Sequence, residues 1–398
     1  MINFDNKIKK IVFLCFLLLL GIENLRLNIK YQNILIIAVL IVLLVFAINK
    51  KVFASNIRAW KSVISLLLLI FSWKLVVFYI SPDLLQATKN IFDFVMIVGI
   101  SFFIVPRIFK DLEGFLKNIK TSLIIISVFS IVGSMILGIS PSIIRVTGAG
   151  EIVERYTWLF YHPNLAGLFG LSLAMVSFLL WEITSKKRNG ISILLGIIII
   201  ILADSRTTLV VLVVFFLMRL FIWIYKKYIK NSISNILFII EGILGSIAII
   251  LILFTFRLVN YEYVNIILSD RLNIWTTLLS SMKNILIGEG LFIPGYSLVI
   301  SVEKNGFGVD GLFMSLLYNE GIIGLSLFLL FVMIIAYCLY NSSHLQKDTI
   351  FALFIVALVY SITETQFYVF NFFTIFILGC VGIVLKSVDR ISTEKKYQ

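Results

Sequence analysis

Charge is scarce in this chain, and so are proline, histidine and cysteine. Only 14% of its 398 residues are charged, and it holds 5 prolines, 2 histidines and 3 cysteines. The cysteines (Cys15, Cys338, Cys380) all lie inside apolar runs, which suggests neither a disulfide framework nor a metal site. No P-loop or Rossmann phosphate motif occurs, which argues against ATP- or NAD-driven chemistry. No basic stripe with interleaved aromatics is present, so nucleic acid is not a partner. Nor is there a repeat of 20–50 residues or a duplication of halves, which counts against a secondary transporter.

What the chain has in abundance is apolar sequence: 60% of residues are hydrophobic and the mean hydropathy is +1.06. Crossing a hydrocarbon core of ~30 Å takes roughly 20 apolar residues. The runs predict an all-α polytopic membrane protein with about twelve transmembrane helices, near 11–22, 33–48, 62–80, 91–106, 121–139, 163–181, 190–203, 207–225, 236–254, 312–340, 349–362 and 367–385. The first run lacks a small-residue cleavage site and is read as a retained span.

Lysine and arginine divide unevenly between the two sides. By this map 23 of the 34 fall on the side of the N-terminus and 10 on the other, with Lys74 inside a span. The positive-inside rule therefore predicts cytoplasmic N- and C-termini. The net charge of +13 reflects this topology and contact with anionic lipid. Irregular sequence collects on the outer side, in 140–162 and in a large loop, 255–311, and four of the five prolines (Pro82, Pro141, Pro163, Pro294) lie on that side. Long loops of this kind usually carry function.

Four outer constellations carry candidate chemistry. In "YHPN", Pro163 suits a first helical turn and holds His162 extended, so His162 and Asn164 sit at a helix entrance that favours an anion or serves as a plain helix start. "ADSRTT" follows a run of about 13 apolar residues, spanning only ~20 Å, so Arg206 is expected below the outer surface and inside the bundle. A buried arginine there is a functional-site hypothesis, a pair with Asp204 being the structural alternative. "SDRLNIWTTLLSSMKNILIGEGLF" predicts an amphipathic surface helix capped by Asp270. Its apolar face is Leu272, Trp275, Leu279 and Met282, it is opened by Arg271, and Gly288 and Gly290 stop it. "VDGLFMSLLYNEGIIGLSLFLLF" contributes Asp310 and Glu320, each also readable as a cap or an interfacial residue.

The order of these four resembles the O-antigen polymerase/ligase superfamily over about residues 145–340. The resemblance implies a bundle of glycosyltransferase C type acting at the outer face of the bacterial cytoplasmic membrane. The implied substrate is an undecaprenyl-diphosphate-linked oligosaccharide, handled with no metal and no cofactor. Ligase-type members carry a histidine-asparagine pair where this chain has Asp310-Gly311. That difference points to a repeat-unit polymerase of capsule, exopolysaccharide or O-antigen. By the resemblance Arg206 and Arg271 grip the diphosphate. Asp310, then His162, then Glu320 are the candidate bases. Arg145, Arg155, Asn164 and Glu320 are candidate substrate contacts. Membrane lipid, a flippase and a chain-length regulator are the candidate partners. The alternatives are a polysaccharide ligase of the same superfamily and, from a different class, a lipid-linked oligosaccharide flippase or other transporter.

Overall fold

The structure is a computed structural model that describes residues 6–27, 32–48, 58–109, 111–146, 152–228, 271–291, 311–342, 344–365 and 369–394. In chain order its elements are α1 (Asn6–Ile22), α2 (Gln32–Ile48), α3 (Arg58–Phe78), α4 (Leu84–Ile108, π-helical over Gly99–Ile104) and α5 (Leu112–Ile136). A hairpin of β1 (Ser142–Val146) and β2 (Ile152–Tyr156) follows, then α6 (Pro163–Thr184), α7 (Lys187–Leu202), α8 (Arg206–Tyr228) and α9 (Arg271–Ser281). The chain continues through α10 (Leu312–Tyr340), α11 (Lys347–Thr363) and α12 (Phe372–Glu394). Six of these helices, α3, α4, α5, α6, α8 and α10, are long and apolar enough to cross a membrane. Each span read from the sequence coincides with a helix except 236–254, which lies outside the described residues, as does most of the 255–311 loop.

Helices outrun the apolar stretches that announce them. α4 begins at Leu84 and α5 at Leu112 because Asp83 and Asp111 cap them: Asp83 Oδ1 accepts from the N–H groups of Leu85 and Gln86, and Asp111 Oδ1 from Gly114. Both caps sit in polar sequence beyond the apolar run. The fold is also not purely helical. In 140–162 the stretches "SIIRV" and "IVERY" pair antiparallel, with Ser142 opposite Tyr156 and Val146 opposite Ile152.

α6, α11 and the first half of α12 are buried along nearly their whole length and form the middle of the bundle. α6 and α7 meet backbone to backbone. A Cβ on Gly170 would lie 2.7 Å from Gly196 O, and one on Gly196 would lie 2.5 Å from Gly170 O. Without water between helices, small residues of this kind allow close packing.

α10 is broken at Gly321, where φ is 68° and ψ −170°. The groups released by the break are met by the segment after α9. Ile322 and Ile323 N–H donate to the carbonyls of Ile285 and Leu286, while Tyr318 and Asn319 carbonyls accept from Glu289 and Gly290. Non-helical backbone at membrane depth requires such partners. This is where "IGEGLF" goes: the predicted surface helix stops at Ser281, and Gly288 and Gly290, both at positive φ, fold into the break. The buried face of α9 is Leu278, with Ile274 and Met282 beside it, packed on Tyr318 and Met314. The expected face included Leu279, which is exposed. Burial follows the i, i+4 series that reaches α10.

The α6–α7 contact gives a direct test. Gly196→Leu should cost on the order of 1–3 kcal/mol by overpacking. Gly190→Ala, with open space at its Cβ, should be neutral or slightly stabilising. Thermal unfolding of detergent-purified variants measures both; equal melting temperatures would contradict the contact.

Candidate functional site

Arg155 of β2 is 7% exposed and reaches the end of α7. Its Nε donates to Ala203 O at 3.3 Å and its Nη2 to Asp204 O at 2.9 Å, with the Asp204 carboxylate 3.9 Å away. A cation there satisfies terminal carbonyls and opposes the negative end of the helix dipole. Asp204 sits in the left-handed region, at φ 44°, a conformation that aspartate tolerates better than most residues.

The same Nη2 donates to Asn164 Oδ1 at 3.0 Å, and Asn164 Nδ2 donates to Glu364 Oε1 at 3.0 Å. The amide is oriented by these partners, its oxygen towards the guanidinium and its nitrogen towards the carboxylate. Glu364 closes α11 in an extended conformation, which turns its carboxylate off the helix. Arg271 Nη2, from the start of α9, donates to the same Oε1 at 3.0 Å. Arg155, Asn164, Glu364 and Arg271 thus form one chain of charge-assisted contacts drawn from β2, α6, α11 and α9. The Arg271 and Glu364 side chains are only 12% and 11% exposed, so their attraction is little screened by water.

This cluster lies at one end of the bundle. α6 leaves it and ends near Lys186, Lys187 and Arg188; α7 returns from there; α8 leaves it towards Lys226 and Lys227; α11 arrives from Lys347. The basic stretches are therefore at the opposite ends of the same helices.

The other expected residues are placed as follows. Arg206 is exposed, not inside the bundle, and makes no hydrogen bond or ion pair among the described residues. The inward face of α8 is Thr208, Val211, Leu212 and Phe215, and Arg206 precedes Thr208 by two residues, on the opposite side of the helix. The buried arginine at this turn is Arg155 instead. Arg206 stands at the rim, two residues from the Asp204 carbonyl that Arg155 holds.

His162 is the N-cap of α6, extended at φ −143° and ψ 145°, and its Nδ1 accepts from Asn164 N–H at 3.1 Å. The imidazole starts the helix and thereby steadies Asn164. Arg145 stands opposite Val153 in the hairpin. Asp310 and Asp270 lie outside the described residues.

Glu320 belongs to another place. It is 1% exposed at the break in α10 and pairs with the fully buried Lys74 at 2.5 Å. A cavity of about 50 Å³ lies beside this pair, lined in part by Phe94, Leu316, Phe328 and Phe331. None of the Glu364 cluster's residues line it. Among the described residues no three His, Cys, Asp or Glu side chains lie together as a metal site.

Sequence reasoning missed Glu364 and gave Lys74 no role. Glu364 stands in "TETQ" between two apolar runs and reads there as an interhelical turn. Lys74 was visible as a lone cation in an apolar run, a signal that warrants a search for its partner.

A double-mutant cycle tests the centre of the cluster. Arg271→Met and Glu364→Gln should each destabilise the protein, and their coupling should be about 1.5–3 kcal/mol. Denaturation of the four purified forms measures it, and additive effects would show that the two side chains do not meet.

No protein-family model matches the chain, and no curated protein sequence matches it.

Proposed function

We propose that this protein is a bacterial repeat-unit polymerase that crosses the cytoplasmic membrane twelve times, termini inside, and joins undecaprenyl-diphosphate-linked oligosaccharides at the outer face. The observation that carries the reading is the convergence of Asn164 and Arg271 on Glu364, with Arg155 holding Asn164 and Arg206 exposed at the rim. The sequence order that resembles the O-antigen polymerase/ligase superfamily falls on these same segments. The cluster's position at the ends remote from the lysine-rich stretches supports an outer location.

The chemistry asks for what the cluster offers. A hydroxyl oxygen of the acceptor sugar bonds to the donor's anomeric carbon, and the bond from that carbon to the diphosphate breaks. Undecaprenyl diphosphate departs with the electron pair, and the hydroxyl proton passes to a carboxylate or to the departing diphosphate. Guanidinium groups suit this leaving group because their planar fork matches phosphate oxygens in pairs. Arg206 reaches the diphosphate from solvent, and Arg271 is presented by Glu364. A carboxylate that holds an arginine until substrate arrives spares the reaction that much reorganisation. Asp310 remains the proposed base, with His162 as the alternative.

The break in α10, with an ion pair buried beside it, favours one other reading: a lipid-linked oligosaccharide flippase, since discontinuous helices line transport sites. A single assay separates the two. Purified protein in detergent, given a synthetic undecaprenyl-diphosphate repeat unit, should produce a ladder of products; a flippase makes none.

In that assay Arg206→Ala and Arg271→Ala should each lower the rate about 10- to 150-fold per folded molecule, the equivalent of a charge-assisted contact of roughly 1.5–3 kcal/mol. Lysine at either position should recover only part. Full specific activity in both alanine variants would refute the site. Orientation is tested in whole cells with a background lacking Cys15, Cys338 and Cys380. A cysteine replacing Ser301 should react with an impermeant thiol reagent and one replacing Ser392 should not. Equal labelling would put the cluster on the wrong face.

A further inference from the structure

Lys74 and Glu320 are the most deeply buried oppositely charged pair among the described residues, at 0% and 1% exposure. Lys74 Nζ also donates to Asn90 Oδ1 at 2.9 Å and stands 5.5 Å from the centre of the Phe94 ring. Such a pair adds little net stability over apolar residues of the same shape, whereas losing one partner is severe. Its value lies in fixing one geometry. Here that geometry is the break in α10, because Glu320 is the last residue before Gly321 and its carbonyl accepts from Trp73 Nε1 at 3.1 Å.

Two routes lead from the break to Arg271. Leu312–Glu320 is a strut of nine residues, ~13 Å long, pinned below by Lys74. At its top Gly311, at φ 94°, fits against Ile362 O and the Trp275 ring, where a Cβ would come within 2.5 and 3.4 Å. Ile362 is two residues from Glu364, and Trp275 is one helical turn from Arg271. The strut also seats α9 through Tyr318 against Leu278. In the second route, the segment after α9 hydrogen-bonds into the break through Ile285, Leu286, Glu289 and Gly290, and Leu291 N–H donates to Ser81 Oγ at 2.8 Å at the end of α3. α9 is held at both ends by what the ion pair fixes.

We propose that Lys74 and Glu320 form a positioning pair that sets the broken strut of α10 and, through it, holds Arg271 against Glu364. The pair touches no substrate. Its effect on rate rests on the polymerase reading; its effect on Arg271 does not.

The test uses Lys74→Met/Glu320→Gln, which removes both charges at similar volume and is expected to fold, with Glu320→Asp as a second variant that keeps the pair but shortens one arm. Modification of Arg271 by phenylglyoxal, followed by mass spectrometry of its peptide, reports whether the guanidinium is held. The double variant should be modified about tenfold faster than the wild type, and repeat-unit polymerisation per folded molecule should fall about tenfold. Glu320→Asp should lie between. A wild-type modification rate in the double variant, or in Glu320→Asp should the double variant not fold, overturns the proposal. A wild type that makes no polymer while Arg271 is still unmasked by the double substitution sinks the polymerase reading and leaves the positioning pair standing.

Discussion

Oε1 of Glu364 accepts hydrogen bonds from Asn164 and from Arg271, each at 3.0 Å, and one end of the bundle is organised around that atom. A carboxylate nearly withdrawn from water demands cations and donors, and the helices must arrive where these can be supplied. α6 arrives through the His162 cap, which places Asn164. The hairpin arrives through Arg155, which ties Asn164 to the last carbonyls of α7. α9 arrives with Arg271 as its first residue. Take away the carboxylate and two guanidinium groups are left facing each other across an amide.

Close backbone packing makes this convergence possible. Gly170 and Gly196 let α6 and α7 touch, and Gly167 leaves no room for a side chain against Ser205 and Thr208. The α7–α8 turn is thereby drawn onto the start of α6, and Asp204 and Arg206 arrive with it. Membrane helices gain little from mutual hydrophobicity, so tight contact and polar pairing carry the specificity. The Gly321 break follows the same logic, since the hydrogen bonds opened in α10 are restored by residues 285–290, well before it in sequence.

Function follows from what these arrangements leave available. Arg155 is committed to carbonyls and to Asn164, a structural use that also holds the amide in place. Arg271 is shared with a carboxylate, its Nη2 donating to Glu364 Oε1. Arg206 faces outward. In the proposed transfer, these three arginines in three states of commitment form a graded receptor for the diphosphate.

Periodicity and composition were enough to read the helices. Among the described residues, eleven of the twelve helices coincide with an apolar run, and six of these are long and apolar enough to cross a membrane, as a helix in hydrocarbon must be to satisfy its own backbone. The sequence also announced the start of α6 at Pro163, and three of the residues it offered as candidates, Arg155, Asn164 and Arg271, are linked through Asn164 and Glu364 in the structure. What it could not announce was pairing. Glu364 looks like any turn residue until Asn164, 200 positions earlier, is found beside it. Arg206 reads as buried until the phase of α8 turns Thr208 inward. Lys74 and Glu320 stand 246 positions apart, and no local pattern links them. Which face of a helix turns inward, and which charge meets which, is decided by packing against partners distant in the chain, and that information exists only in the assembled bundle.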